Sequence, residues 1–160
     1  VNHGTYHHRP GSDHERWTRE TIARCGWAVQ YVFGDDEEPP FGYTIGLHAL
    51  GHPELVVCGT DQYTAGGVLN ALGALVRAGR PPERDRPISV RGWPHRLWLL
   101  AVLDSSGHLL GANARYRRCG DPPVPALQAV HDDLWGRFPW EPGYALEPGR
   151  QPLLGLPPAR

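Results

Sequence analysis

Six side chains of this 160-residue chain have types and spacings that could do chemistry: His48, His52 and Glu54 in one segment, and His131, Asp132 and Asp133 in another. Imidazole with carboxylate suits zinc or iron, and three protein ligands would leave a coordination position open. The same groups work as general acid and base where they converge. The catalytic candidates are therefore His48, Glu54, His131 and Asp133. A divalent metal would draw on His48, His52 and His131, but no cofactor is predicted. The zinc-protease pattern H-E-x-x-H is absent, and the ALG between His48 and His52, followed by Pro53, reads as a loop. Asp132 and Asp133 are neighbours, so on an extended chain they point to opposite sides. One of them is expected to start the turn before Gly136 by accepting a backbone N–H.

Several chemistries are excluded. All sixteen basic residues are Arg. Without Lys there is no Schiff-base amine, phosphate-loop lysine or Ser–Lys dyad. The serines are Ser12, Ser89, Ser105 and Ser106, none of them in a G-x-S-x-G elbow. Cys58 follows LVV in an expected buried strand, where a thiol is ordinarily inert. YTAGG at a helix start lacks any nucleotide-loop pattern, and Gly66 and Gly67 are expected to allow close helix–sheet packing.

The first reading is nonetheless a non-catalytic or accessory module with a binding pocket, and a small enzyme using the His and carboxylate groups is the alternative. Binding pockets combine an apolar wall with a few polar anchors. The aromatic residues of this chain lie near small and amide-bearing ones, and a pocket lined by Tyr43, Thr44, His48, Asn70, Gln128 and Trp140 is expected. It would take a small molecule or a protein partner.

The elements that must position these residues follow from periodicity. Ser12 and Glu15 have capping-box spacing, and Gly26 can stop the helix they begin. Segments 27–33, 41–47 and 53–59 read as strands. In FGYTIGL, Phe41, Tyr43, Ile45 and Leu47 share one face and Gly42, Thr44 and Gly46 the other. Glycines inside a strand mark a bulge or the close approach of another group. The clearest helix is 62–78, with an apolar stripe through Ala65, Val68, Leu69, Leu72, Leu75 and Val76 and a cap at Thr60 or Asp61. Strands at 88–90 and 97–103, a helix within 105–118 with Ser105 or Ser106 as its cap, and a strand at 126–131 complete the order. A Pro- and Gly-dense tail follows. Neighbouring strands joined by short turns favour an α+β fold, with a mainly antiparallel sheet and helices packed on one face. Residues 1–11 are read as a flexible His-bearing arm and 12–160 as one domain.

Composition agrees with a globular domain: 40% of residues are hydrophobic and 21% charged. The net charge of -1 gives no electrostatic pull on a phosphate backbone, so no nucleic-acid partner is expected. The longest apolar run, Leu97 to Leu103, is far shorter than the roughly 20 residues a membrane span needs. Three widely spaced cysteines suggest reduced thiols, and no apolar leader stands near residue 1, so a cytoplasmic location is expected.

Two segments are distinctive, FGYTIGLHALGHPELVVCG (41–59) and QAVHDDLWGRFPWEPG (128–143). Together they resemble the bacterial family known as domain of unknown function 4262. The matching positions are Tyr43, Thr44, Gly46, Leu47, Gly51, Pro53 and Glu54, then Gln128, Asp133, Gly136, Pro139 and Trp140. Gly26-Trp27, Asn70 and Gln151-Pro152 also fit, so the resemblance spans roughly residues 15–155. It implies a bacterial, cytoplasmic, single-domain protein and transfers no catalytic residue.

Overall fold

The structure, a computed structural model, describes residues 11–159. The expected arm, with His3, His7 and His8, lies outside the described residues apart from Gly11. Helix α1 (Ser12–Cys25) begins with Gly11 at its N-cap, one residue before the expected Ser12. It ends at Gly26, whose φ of 96° only glycine adopts freely. Strands β1 (Ala28–Val32) and β2 (Phe41–Ile45) form a hairpin, and a short 3-10 turn (Leu47–Leu50) leads to β3 (Glu54–Cys58). Helix α2 (Gln62–Arg77) follows, capped by the Asp61 carboxylate on the Thr64 N–H. Then come β4 (Ile88–Ser89), β5 (Arg96–Ala101), α3 (Leu110–Tyr116) and β6 (Ala126–His131). The helix expected within 105–118 is thus present, but its N-cap is Leu109. Ser105 Oγ instead donates to the Val124 carbonyl at 2.6 Å.

The six strands form one sheet in the order β1-β2-β3-β6-β5-β4. Every pairing is antiparallel except β3 with β6, which is parallel. The α+β class and the mainly antiparallel sheet hold; helix packing on a single face does not. Helix α2 covers one face, burying Leu55, Val57, Leu97, Leu99, Leu127 and Ala129 against Ala65, Val68, Leu69 and Leu72. Helix α3 lies on the other face, where Leu109 and Ala112 meet Tyr43, Ile45, Val56 and Ala126. Phe138, Trp140 and Leu153 extend that second cover over Leu100 and Val130. The central strands are buried along their whole length. A strand buried on both sides needs an apolar cover on each, which is why one helical layer is insufficient.

Trp27 ties α1, the hairpin and α2 together. Its Nε1–H donates to Asn70 Oδ1 at 2.9 Å, and the Arg77 guanidinium lies 5.5 Å from its ring centre. The indole lies against the bare backbone of Gly73, where an added Cβ would be 2.7 Å from Trp27 Cε2. Gly73→Ala is therefore expected to lower unfolding free energy by about 1–3 kcal/mol, despite alanine's better helix propensity. Urea unfolding followed by circular dichroism checks this, and a gain in stability would contradict the packing.

Candidate functional site

The expected catalytic residues divide between the two ends of the sheet. At the first end, the buried Glu54 carboxylate closes the turn between β2 and β3. Oε1 accepts the N–H groups of Gly46 (2.8 Å) and His48 (3.1 Å). Oε2 accepts the Thr44 hydroxyl (2.6 Å) and the Leu47 N–H (3.2 Å). Thr44 Oγ1 in turn accepts the Leu55 N–H at 2.9 Å, which leaves its own proton for the carboxylate. Burial pushes the Glu54 carboxyl above its ordinary range, while the bonds from Thr44, Gly46, His48 and Leu47 pull it down. Its oxygens are occupied by the backbone they organise. Gly46 takes a φ of 136° there, and a side chain would meet the Gly26 carbonyl at 2.5 Å. The His48 ring packs on Tyr116 at 5.0 Å, and His52 Nδ1 bonds the Pro53 carbonyl at 2.7 Å.

At the far end, Asp133 shapes the segment after β6. Oδ1 accepts the N–H groups of Trp135 and Arg137, each at 2.9 Å, and Oδ2 accepts that of Ala145 at 3.0 Å. Burial would raise this carboxyl, but the bonds from Arg137, Ala145 and Trp135, with the Arg137 charge, outweigh it and hold it below the ordinary aspartate range. This is the backbone-accepting role expected of one of the two aspartates.

Register measures the separation. Glu54 pairs with Ala126, and His131 stands five residues further along β6, roughly 17 Å away at strand spacing. His48 and Glu54 therefore do not converge with His131 and Asp133, and the metal candidates His48, His52 and His131 do not meet. Among the described residues no group of three or more His, Cys, Asp or Glu is placed to hold a metal ion.

The six expected pocket residues do not line one cavity either. Tyr43 faces α3, where its hydroxyl accepts the Gly111 N–H at 2.9 Å. Thr44 faces the α2 side, where Gly42 closes the space: an added Cβ would lie 3.0 Å from Ala65 and 3.4 Å from Leu69. Gln128 is fully buried on the opposite face. Its amide donates to the Pro152 carbonyl and accepts the Leu154 N–H, both at 2.7 Å, like one rung of a strand pairing. Trp140 stacks on Phe138 at 5.1 Å. Of the six, Asn70 borders the cleft between α2 and the Val90–Trp93 turn.

That cleft, of about 610 Å³, lies where β3 and β6 end and α2 begins. Its α2 wall is Gln62, Tyr63, Thr64, Gly66, Gly67, Val68 and Asn70; the facing wall is Val90, Arg91, Gly92 and Trp93. Gly66 and Gly67 do not serve helix–sheet packing as expected. Among the described residues a Cβ on either would meet nothing within 4 Å. Behind Trp93 stand His95 and His131, with ring centres 5.1 and 5.4 Å from the indole and 5.4 Å from each other. Both imidazoles are anchored on Asp132: His131 Nδ1 on its carbonyl at 3.1 Å, His95 Nδ1 on its carboxylate at 3.2 Å. A carbonyl only accepts, so His131 Nδ1 carries the proton of that bond and Nε2 presents a lone pair. Nε2 is buried and has no partner among the described residues. Burial pushes His131 below the ordinary imidazole range, and the nearby His95 adds to this against the Asp132 bond. His95, Arg91 and Tyr63 were not anticipated; consecutive glycines inside a strong helical pattern were the available signal. A second cleft, of about 790 Å³, lies between α1 and α3 over Ile45, at the start of the described chain.

A carboxyl held below its ordinary value stabilises the fold fully above the unfolded aspartate pKa, about 3.9, and loses that contribution as pH falls through the lower folded value. Asp133→Asn is therefore expected to flatten the decline in stability of the native chain below about pH 4. Parallel denaturant midpoints measured between neutral and acid pH check it; identical slopes for the two proteins would refute the assignment.

No curated protein and no solved structure matches this chain. A family model described as Domain of unknown function (DUF4262) matches residues 21–145. It takes in the Glu54 turn, α2, the cleft and the Asp133 turn, and the chain belongs to that family.

Proposed function

We propose that this domain binds a small molecule in the cleft between α2 and the Val90–Trp93 turn, as a binding module rather than a catalyst. The observation that carries this reading is the pair Gly66 and Gly67. Each glycine inside a helix costs about 1 kcal/mol relative to alanine. Gly73 has a packing reason, whereas Gly66 and Gly67 face open space. Their effect is to keep room beside Trp93, in a cleft whose 610 Å³ falls within the ordinary range of ligand sites. The position, outside the carboxyl ends of a parallel strand pair, is one where α/β sheets commonly hold ligands.

Gly66→Ala and Gly67→Ala are each expected to raise unfolding free energy by about 0.5–1 kcal/mol and to weaken fragments found by crystal soaking. Loss of stability in both variants, or fragments that gather elsewhere and ignore the substitutions, would remove this reading.

One observation favours a catalytic alternative: the bare Nε2 of His131 beside the His95–Asp132 pair. A base must be reachable by the proton it abstracts. Carbethoxylation of the native protein, mapped by mass spectrometry, tests reach. The alternative predicts that His131 reacts at a rate comparable to His95; a His131 that reacts only after unfolding eliminates it.

A further inference from the structure

We infer that the cleft takes a flat anion rich in hydrogen-bond acceptors: an aromatic or heteroaromatic ring bearing a carboxylate or a phosphate. This rests on the reading of the cleft as a binding site and adds its chemistry. Four observations carry it. Among the described residues Arg91 is the one charged residue of the lining, and no acidic side chain lines it. Among the described residues Arg91 forms no side-chain hydrogen bond or ion pair, so its guanidinium is uncommitted. The nearest acid along α2, Asp61, is engaged by the Thr64 N–H and hydroxyl, both at 2.9 Å.

Beside the polar side chains of Gln62, Tyr63 and Thr64, the cleft is lined by Asn70, whose orientation is fixed from behind. Indole Nε1–H only donates, so the atom facing Trp27 is Oδ1, and the NH2 is the end left over. That NH2 has no partner among the described residues, and Asn70 is exposed at the cleft. Arg91 and Asn70 thus offer free atoms that can only donate, and a matching ligand must accept from both. The walls set the shape. Trp93 stands on one side and the side-chain-free backbone of Gly66 and Gly67 on the other, and a slot between an indole and bare helix suits a flat ring.

The test uses the full chain and two matched pairs of probes: 2-naphthoate with 2-naphthamide, and adenosine monophosphate with adenosine. Amide and indole shifts locate each probe, and titrations give affinities. The expected result is that Gly66, Gly67 and the Trp93 indole shift, and that at least one anion binds about ten-fold or more tightly than its neutral twin. That advantage should fall with added salt. The pair with the larger ratio identifies the source as carboxylate or phosphate. Arg91→Leu, at an exposed position, should erase the ratio while leaving the thermal midpoint unchanged. Asn70→Asp retains an oxygen for Trp27 but replaces the donor with a charge, so it should weaken anions more than neutral probes. Equal affinities within both pairs, or a ratio that survives Arg91→Leu, would overturn the ligand class and leave the cleft as a binding site. Four probes that all leave Gly66 and Gly67 unshifted would overturn the class and the cleft together.

Discussion

Covering the central strands on both faces is the constraint on which the rest of this structure depends. With α2 on one side and α3 and the tail on the other, the strand ends and the turns joining them lose access to water. A backbone N–H or carbonyl buried without a partner costs about as much as a lost hydrogen bond, so each must be matched from inside. Buried polar side chains do this work. Glu54 accepts three N–H groups at the start of β3, and Asp133 accepts three after β6. Gln128 and Gln151 hold the tail through amide-to-backbone pairs, Gln151 bonding both the N–H and the carbonyl of His131. Asn113 does the same around α3, with Ser105, Leu109 and Val124.

That arrangement gives the family pattern a physical content. Thr44, Glu54, Gln128 and Asp133 stand out in the sequence because polar residues amid strands and turns look like a site. In the structure their donors and acceptors are engaged by the protein itself. Thr44 is the clearest case: it accepts from Leu55 and donates to Glu54, so its hydroxyl has a fixed direction and no role toward solvent. A motif of buried polar residues can therefore specify how a chain closes its turns without specifying a reaction.

The fold was largely legible, because period and caps are local properties. The apolar stripe of α2, the alternation in β2 and the left-handed stop at Gly26 are each written within a few residues. The second helical layer was not, since it depends on which strand is central. The unbroken LVV of β3 was the available sign that both its faces are covered. The site was less legible still. Glu54 and His131 are plausible partners by type, but the parallel register of β3 and β6 puts them at opposite ends of the sheet. Tyr43 and Thr44 are neighbours in sequence and so face opposite layers. His95 gained meaning only through Asp132, 37 positions away.

Where the local rules are obeyed, structure explains the residue; where they are broken without compensation, function is the better explanation. Most buried side-chain polar groups here have partners, the exceptions among the described residues being Thr18 Oγ1, Thr60 Oγ1 and His131 Nε2. The glycines at 42, 46 and 73 answer to close packing, whereas those at 66 and 67 answer to nothing among the described residues. The uncompensated helix glycines and the imidazole with the unpartnered Nε2 stand on either side of Trp93, one in the cleft that this indole lines and the other against its ring. Both departures lie at the same end of the sheet, beside one indole. On the proposed reading, Trp93, rather than the more conspicuous buried carboxylates, is the residue to which ligand binding is to be referred.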